Sequence, residues 1–234
     1  LVDAGSQAKI KRVKFNGLKS IKDKHVRKLI KLKNGQCFRS SYVEDARKSL
    51  QNTGLFSSAT PDIPSATDED GLATVLFNLV ERKHRSVKAG LEYGTDLGLG
   101  TIFGWEHRNL FGSGQELRAN IVANRQQHIA EINYIEPFFK RDDQTLKLGT
   151  KFENRETKSF DSKEGSAYAL VERNLSNTWS LGGGGRLSRS IIKSNEGKEH
   201  FSLVSIPTYI TYDNRADIFN PKRGYVLELK GVPY

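Results

Sequence analysis

The chain has 234 residues, 36% hydrophobic and 27% charged, with mean hydropathy −0.56 and a formal net charge of +10. This length allows one or two domains with an ample core. No run approaches the ~18 apolar residues of a membrane-spanning helix, which excludes a helical membrane protein; a membrane β-barrel, with half of each strand polar, is not excluded. The single Cys37 rules out an internal disulfide framework and a cysteine zinc site, and reads as a half-buried packing residue. Fourteen Lys/Arg against three Asp/Glu fall between Lys9 and Lys48, so the basic excess belongs to the N-terminal module. It reads as a solvated helical surface, or one facing anionic lipid, rather than a nucleic-acid face. The chain starts at Leu1 with no readable signal peptide, as a mature or truncated piece would.

Residues 9–81 read as strand, helix, helix, strand, strand. Val13 and Phe15 alternate with Arg12 and Lys14, and Asn16-Gly17 ends the first strand. Ser20-Ile-Lys-Asp23 has the form of a capping box. The helix it opens carries Val26, Leu29 and Ile30 on one face and stops at Asn34-Gly35. Ser41-Tyr-Val-Glu44 repeats the signature ahead of the stripe Val43, Ala46 and Leu50, and Gly54 is placed as the left-handed residue beyond that helix. Leu55-Phe56, a polar stretch from Pro61 to Gly71, and an apolar strand from Thr74 to Val80 follow. Through Val13-Lys-Phe-Asn-Gly17, Gly35-Gln-Cys-Phe38 and Asn52-Thr-Gly-Leu-Phe56, this β-α-α-β-β order resembles a POTRA domain, a periplasmic polypeptide-transport module.

From Ser86 onward apolar and polar side chains alternate every second residue, the period that sends neighbours to opposite faces of a sheet. Val87, Ala89, Leu91 and Tyr93 oppose Lys88, Gly90, Glu92 and Gly94. Leu117, Ala119, Ile121 and Ala123 oppose Glu116, Arg118 and Asn120, and Leu146, Leu148 and Phe152 oppose Lys147, Gly149, Lys151 and Glu153. Strands are expected at 86–94, 98–107, 115–124, 129–138, 144–154, 165–173, 178–192, 199–212 and from 223. Polar loops are expected from Arg155 to Glu164 and from Ile192 to Glu199. One greasy and one wet face per segment suits strands crossing a bilayer in a barrel. Trp105, Trp179, Tyr93, Tyr134, Tyr168 and Phe138 are candidates for the interfacial aromatic belts.

Three further motifs carry a resemblance across nearly the whole chain. Asn109-Leu-Phe-Gly-Ser-Gly-Gln115, Tyr134-Ile-Glu-Pro-Phe138 and Asp213-Asn-Arg-Ala-Asp-Ile-Phe-Asn-Pro-Lys-Arg-Gly-Tyr225 resemble the first half of the barrel in the BamA/TamA superfamily of outer-membrane assembly factors. Glu81-Arg-Lys-His-Arg-Ser86 leading to Tyr93-Gly-Thr-Asp-Leu-Gly98 leans toward the TamA branch. The expected fold is an α+β POTRA domain over 1–84, followed over 85–234 by the first half of an antiparallel transmembrane β-barrel, about eight to nine strands. Family barrels close about sixteen strands, so the chain is expected to be partial, with the remainder supplying closure. The turn residues Asn109, Leu110, Phe111, Gly112, Gly114, Asp213, Arg215, Asp217, Pro221 and Gly224 are positioning groups: glycines for positive φ, Pro221 for a strand end, and Arg215 with its acids for bracing.

The resemblance implies assembly or translocation of β-barrel or autotransporter-like substrates in the bacterial outer membrane, with the POTRA module in the periplasm. The first barrel strand, Val87, Lys88, Ala89, Gly90, Leu91, Glu92, Tyr93 and Gly94, would be the edge on which an incoming strand is templated. Implied partners are unfolded outer-membrane or autotransporter polypeptides, membrane lipid, and an inner-membrane or lipoprotein partner through the POTRA module. Neither nucleic acid nor cofactor is implied. Alternatives are a two-partner secretion transporter and a passive pore, though the mixed signs of Lys88, Glu92, Glu116, Arg118, Lys147, Lys151 and Glu153 disfavour ion selection. No enzyme chemistry is expected. Gly182-Gly-Gly-Gly185 lacks the Lys-Ser/Thr of a phosphate loop. His25, His84, His107, His128 and His200 lack ligand spacing and read as surface or lumen residues, and Asp142-Asp143 reads as a solvated turn.

Overall fold

Strand β1 (Lys9–Asn16) buries Ile10 and Val13 and turns Lys11, Arg12 and Lys14 to water. It pairs in parallel with β3 (Leu72–Glu81), which pairs antiparallel with β2 (Phe56–Asp62), giving the order β1-β3-β2. Helices α1 (Asp23–Ile30) and α2 (Ser40–Asn52) close one face of this sheet. Val26, Ile30, Val43, Ala46 and Leu50 meet Ile10, Val13, Phe56, Val75, Phe77 and Leu79 in one apolar core. Gly35–Phe38 runs along the outer side of β1, with Ile10 N–H donating to Gln36 O at 2.8 Å and Phe38 N–H to Ala8 O at 2.8 Å. Half-buried Cys37 forms a bridge pair with Lys9 there. The computed structural model describes residues 8–63, 71–157, 159–195, 197–215 and 221–234, so most of the Pro61–Gly71 stretch lies outside the described residues.

Local details of this unit differ from the sequence reading. Helix α1 begins after Lys22, not Ser20, and has no side-chain cap; Ser20 instead donates its hydroxyl to Glu81. It ends at Ile30 because Lys31 adopts the left-handed conformation at φ 54°, four residues before Gly35. Helix α2 starts after Arg39, also without a side-chain cap, and Glu44 pairs with Arg47 one turn on. Gly54 does sit in the left-handed region just past α2. His25 is buried rather than on the surface.

The second compact unit comprises Arg85–His107 and Gln115–Tyr234, while Arg108–Gly114 belongs to the first. It is one antiparallel sheet, built from β4 (Arg85–Gly94), β5 (Gly98–His107), β6 (Glu116–Ala123), β7 (Gln127–Pro137), β8 (Gln144–Glu156), β9 (Phe160–Asn174), β10 (Trp179–Ser194), β11 (Gly197–Ser205), β12 (Thr208–Asp213) and β13 (Val226–Gly231). Neighbours in sequence are neighbours in the sheet, except that β11 and β12 both pair with β10. These two are halves of one strand broken at Ile206-Pro207, where proline has no amide to give the ladder. The β8–β9 and β9–β10 ladders run on past the expected strand ends: Arg155 pairs with Ser162, and Ile192 with both Ser162 and Glu199. Much of the two expected long loops is therefore hairpin.

Register aligns the alternating residues into continuous rows. One row runs Val87, Trp105, Ala119, Ile132, Thr150, Ala167, Leu187, Val204; the adjacent row, on the opposite face, runs Ser86, Glu106, Arg118, Asn133, Gly149, Tyr168, Arg186, Ser205. The apolar face is open, with Val87 64%, Phe152 64% and Leu187 60% exposed. A soluble protein rarely exposes so wide an apolar surface. Trp179, Tyr212 and Tyr225 stack at 4.8 and 5.6 Å. Tyr168, in contrast, is not a belt residue: it lies on the polar face and donates to Asn133 at 2.8 Å.

In the first unit the chain turns at Gly17 with φ 88°, and a Cβ there would strike the carbonyl oxygen of Leu79. Gly17→Val is expected to cost about 1–3 kcal/mol. The check is a lowered urea midpoint for amide protection across residues 72–81 in the full-length protein; an unchanged midpoint would contradict the packing described.

Candidate functional site

Strand β4 stands at the end of the sheet. Every residue from Arg85 to Gly94 has a register partner on β5, from Arg85 opposite His107 to Gly94 opposite Gly98, and β5 is its sole neighbour among the described residues. Val87, Leu91 and Tyr93 expose 64, 77 and 79% of their surface on the apolar face. Lys88, Gly90, Glu92 and Gly94 alternate with them on the polar face, where Asn124 donates to Glu92 at 3.4 Å. At the opposite end β13 pairs with β12 alone among the described residues. Ten residues of backbone along β4 thus carry polar groups with one side of the ladder open, the arrangement that accepts another strand.

The polar face between the edges is cross-linked by charge. Lys147 pairs with Glu172 at 2.8 Å, Lys151 and Arg155 each with Glu153 at 2.7 Å, Arg186 with Glu164 at 3.2 Å, and Arg118 with Glu116 and Glu106. The Tyr209 ring covers Gly182, where a Cβ would collide with it, and its hydroxyl donates to Glu172. That contact accounts for one glycine of the Gly182–Gly185 run.

The turn motif of the sequence reading has a definite seat within the first unit. Asn109, 4% exposed, accepts from Gly114 N–H at 3.0 Å and donates to Ser20 O at 3.4 Å; Lys22 N–H donates to Gly112 O at 2.8 Å. Gly112 has φ 83° and Gly114 φ 69°; a Cβ on the first would approach Ser20 O to 2.9 Å and on the second His25 Nε2 to 2.7 Å. Leu110 is half-buried and Phe111 60% exposed, so these two do not form the seat. The sequence reading missed the residues that do: Ser20, His25, Glu81 and His84. Ser20 looks like a helix cap in sequence, and nothing local ties it to Glu81, sixty-one positions away.

Glu81 organises this seat. Its carboxylate accepts from the amides of Lys19 at 2.7 Å, Ser20 at 3.0 Å and Ile21 at 3.0 Å, and from Ser20 Oγ at 2.6 Å. His84 Nε2 lies 2.8 Å from Ser20 Oγ and 3.3 Å from Glu81 Oε2. Burial alone would raise the Glu81 pKa, but the hydrogen bonds from Ser20, Lys19 and Ile21 outweigh it and hold the carboxyl at about 2. Burial, helped by the Lys28 charge, pushes His25 down to about 4.

The remaining expected turn residues lie in the second unit. Arg215 donates to both Asp213 oxygens, at 2.9 and 2.7 Å, and Tyr225 N–H donates to Asn214 Oδ1 at 2.7 Å. Gly224, at φ 98°, lies against Asn214 and Arg215, and Pro221 is exposed. Asp217 lies outside the described residues.

Comparison with known proteins agrees with this architecture. Residues 109–232 match the Omp85 superfamily domain, and residues 8–82 match the POTRA family described as a surface antigen variable number repeat. The chain is 28% identical over 138 residues to "Outer membrane protein assembly factor BamA" of Buchnera aphidicola, covering 59% of this chain and 22% of that protein. It is 27% identical over 163 residues to a "Putative outer membrane protein assembly factor" of Treponema pallidum, covering 67% and 19%. It therefore spans about a fifth of the length of these curated relatives. Among solved structures, BamA from Haemophilus ducreyi lacking POTRA domains 1–3 superposes with a TM-score of 0.78 at 18% identity, over 98% of this chain and 49% of that one. CdiB from Acinetobacter baumannii gives 0.70 at 12%, over 97% and 46%. These two likenesses establish fold. The lean toward TamA continues to rest on Glu81–Ser86 and Tyr93–Gly98 alone.

Both groups have folded-state pKa values below their ordinary ones, so both stabilise the fold at neutral pH. The His25 contribution is lost as pH falls from about 6.5 to 4, and that of Glu81 from about 4.5 to 2. Glu81→Gln is therefore expected to lower the resistance of the full-length protein to pulse proteolysis around Lys19–Ile21 at neutral pH. The deficit should shrink toward zero near pH 2. A deficit independent of pH would contradict the assigned charge on Glu81.

Proposed function

Since the chain belongs to the Omp85 superfamily, we propose that it is the barrel-proximal POTRA domain and leading barrel strands of an outer-membrane factor that inserts or exports β-rich polypeptides by strand templating. Its place is the outer membrane, with the POTRA domain on the periplasmic side. The observation that carries the mechanism is β4, ten residues long, at the sheet edge with β5 as its described partner. A substrate strand arriving in extended form would pair with the open side of β4, its apolar side chains falling on the face of Val87, Leu91 and Tyr93. Templating needs no bond chemistry, only amides and carbonyls held at strand spacing in a medium without water.

The names of the sequence relatives, outer-membrane assembly factors, support this reading over a passive pore. So does the polar face, where cations and carboxylates are matched in pairs; a selective channel would present one sign to its ions. Substrates are unfolded outer-membrane or autotransporter-type polypeptides, and the POTRA domain provides a surface for an inner-membrane or lipoprotein partner.

Single cysteines placed from Val87 to Gly94 in the full-length protein are expected to form disulfides with a cysteine in the terminal strand of a substrate during assembly. Sites two apart should share a substrate face. Silence throughout β4 with capture at interior strands such as β7 would remove the templating reading.

A further inference from the structure

The two faces of the sheet treat cations differently. On the polar face Lys147, Lys151 and Arg186 each pair with a carboxylate. On the apolar face, toward the β8–β9 and β10–β11 turns, Lys163 and Arg189 form no ion pair among the described residues. Register explains why. The Arg189 row runs back through Gly165, Phe152, Ala130 and Ile121, and the Lys163 row through Asn154, His128 and Ala123, with His200 on its other side beyond Ile191. Neither row contains an acid. Asp161 and Glu156 share this face one row further out, where Asp161 lies opposite Lys193.

Beside these cations the face is hollowed. A trough of about 960 Å³ has small residues, Ala130, Thr150, Gly165 and Ala167, along its floor, with Phe152 and Leu187 standing beside them and Lys163 and Arg189 at its end. Phe152 packs on Gly165, where a Cβ would meet the ring at 3.4 Å. The lining carboxylates Glu153 and Glu164 are taken by Arg155 and Arg186, and an apolar trough ending in two cations whose own rows hold no acid fits one amphiphile: a chain in the groove and an anion at the end.

The strands fix which membrane surface this is. β4 follows directly on the POTRA unit in the chain, and β8 and β10 run in the same direction as β4, so the start of β9, which carries Lys163, and the end of β10, which carries Arg189, lie at the edge of the sheet away from the periplasm. We infer that this trough is a binding site for a phosphorylated, multiply acylated lipid of the outer leaflet, an acyl chain lying over Gly165 and a phosphate held between Lys163 and Arg189. His128 and His200, each two strands from Lys163 along its row, extend the strip with imidazole N–H donors beyond the reach of one phosphate, since neighbouring strands are about 4.8 Å apart. A headgroup with two phosphates on a sugar matches that width. The site depends on the apolar face meeting lipid and not on β4 being the substrate edge.

The test is photocrosslinking from benzoylphenylalanine at Leu187 in the full-length protein, reconstituted in phosphatidylcholine vesicles containing a minor fraction of lipid A. Adducts should be enriched in lipid A about tenfold over its share of the membrane. Lys163→Gln with Arg189→Gln should abolish the enrichment while leaving total lipid adducts unchanged, and lipid A stripped of phosphate should show none with the wild-type protein. Equal enrichment of the stripped lipid, of phosphatidylglycerol, or in the double variant would overturn the site. Adducts to no lipid at all would overturn the membrane exposure of the face itself, and with it the site, while leaving the β4 crosslinks as a separate question.

Discussion

Extended backbone in hydrocarbon has no water to satisfy its amides and carbonyls, and each unpaired group costs several kcal/mol. Strands β5 to β10 meet this with a neighbour on both sides and registers that run unbroken over seven to fifteen residues. Everything else in the second unit follows from that ladder. Because the pairing fixes which residues lie opposite one another, the two-residue alternation along each strand becomes rows across the sheet, one set apolar and one charged. A slip of one residue between two strands would put Lys151 or Arg186 on the lipid side, and the cross-strand pairs Lys147–Glu172 and Arg186–Glu164 hold the register against it.

The same ladder makes the ends of the sheet unlike its middle. At β4 and β13 the pairing is one-sided among the described residues. An edge that would be a liability in a soluble protein is, on the templating function proposed above, the place where a substrate strand would gain what it lacks. The first unit relies on different physics: a small apolar core under three strands, and the Glu81 carboxylate gathering three amides and a hydroxyl beside the Asn109–Gly114 turn. A buried acceptor so fully satisfied stays charged at neutral pH and holds the loop before α1 in one conformation.

The sequence was most legible where one periodicity acted alone. Val87 to Tyr93 and Leu117 to Ala123 alternate because each face sees a different medium, and those strands lie where the spacing puts them. Near Arg155, Glu156, Asp161 and Lys163 both faces are polar, so the alternation disappears although the ladder continues, and the strands look like loops. Turn signals misled where a long-range partner outbid a local one. Ser20 has the spacing of a cap, yet Glu81 takes its hydroxyl; Lys31 takes the left-handed conformation that Gly35 seemed to announce. Tyr168 reads as a belt aromatic by type, but its register opposite Gly149 turns it to the polar face. The turn motif Asn109–Gly114 was recognisable; its seat was not, because Ser20, His25 and Glu81 come together only when β1, α1 and β3 have packed.

Accessibility of nitroxide spin labels in lipid vesicles tests the two-faced sheet most directly. Labels on the full-length protein at Ile121, Ile132, Leu148 and Leu187 should collide readily with dissolved oxygen and poorly with a water-soluble nickel chelate. Labels at Asn120, Asn133, Gly149 and Ser188 should lose that preference. Alternation with this phase is what the account requires; the opposite phase, or equal accessibility at neighbouring positions, would contradict it.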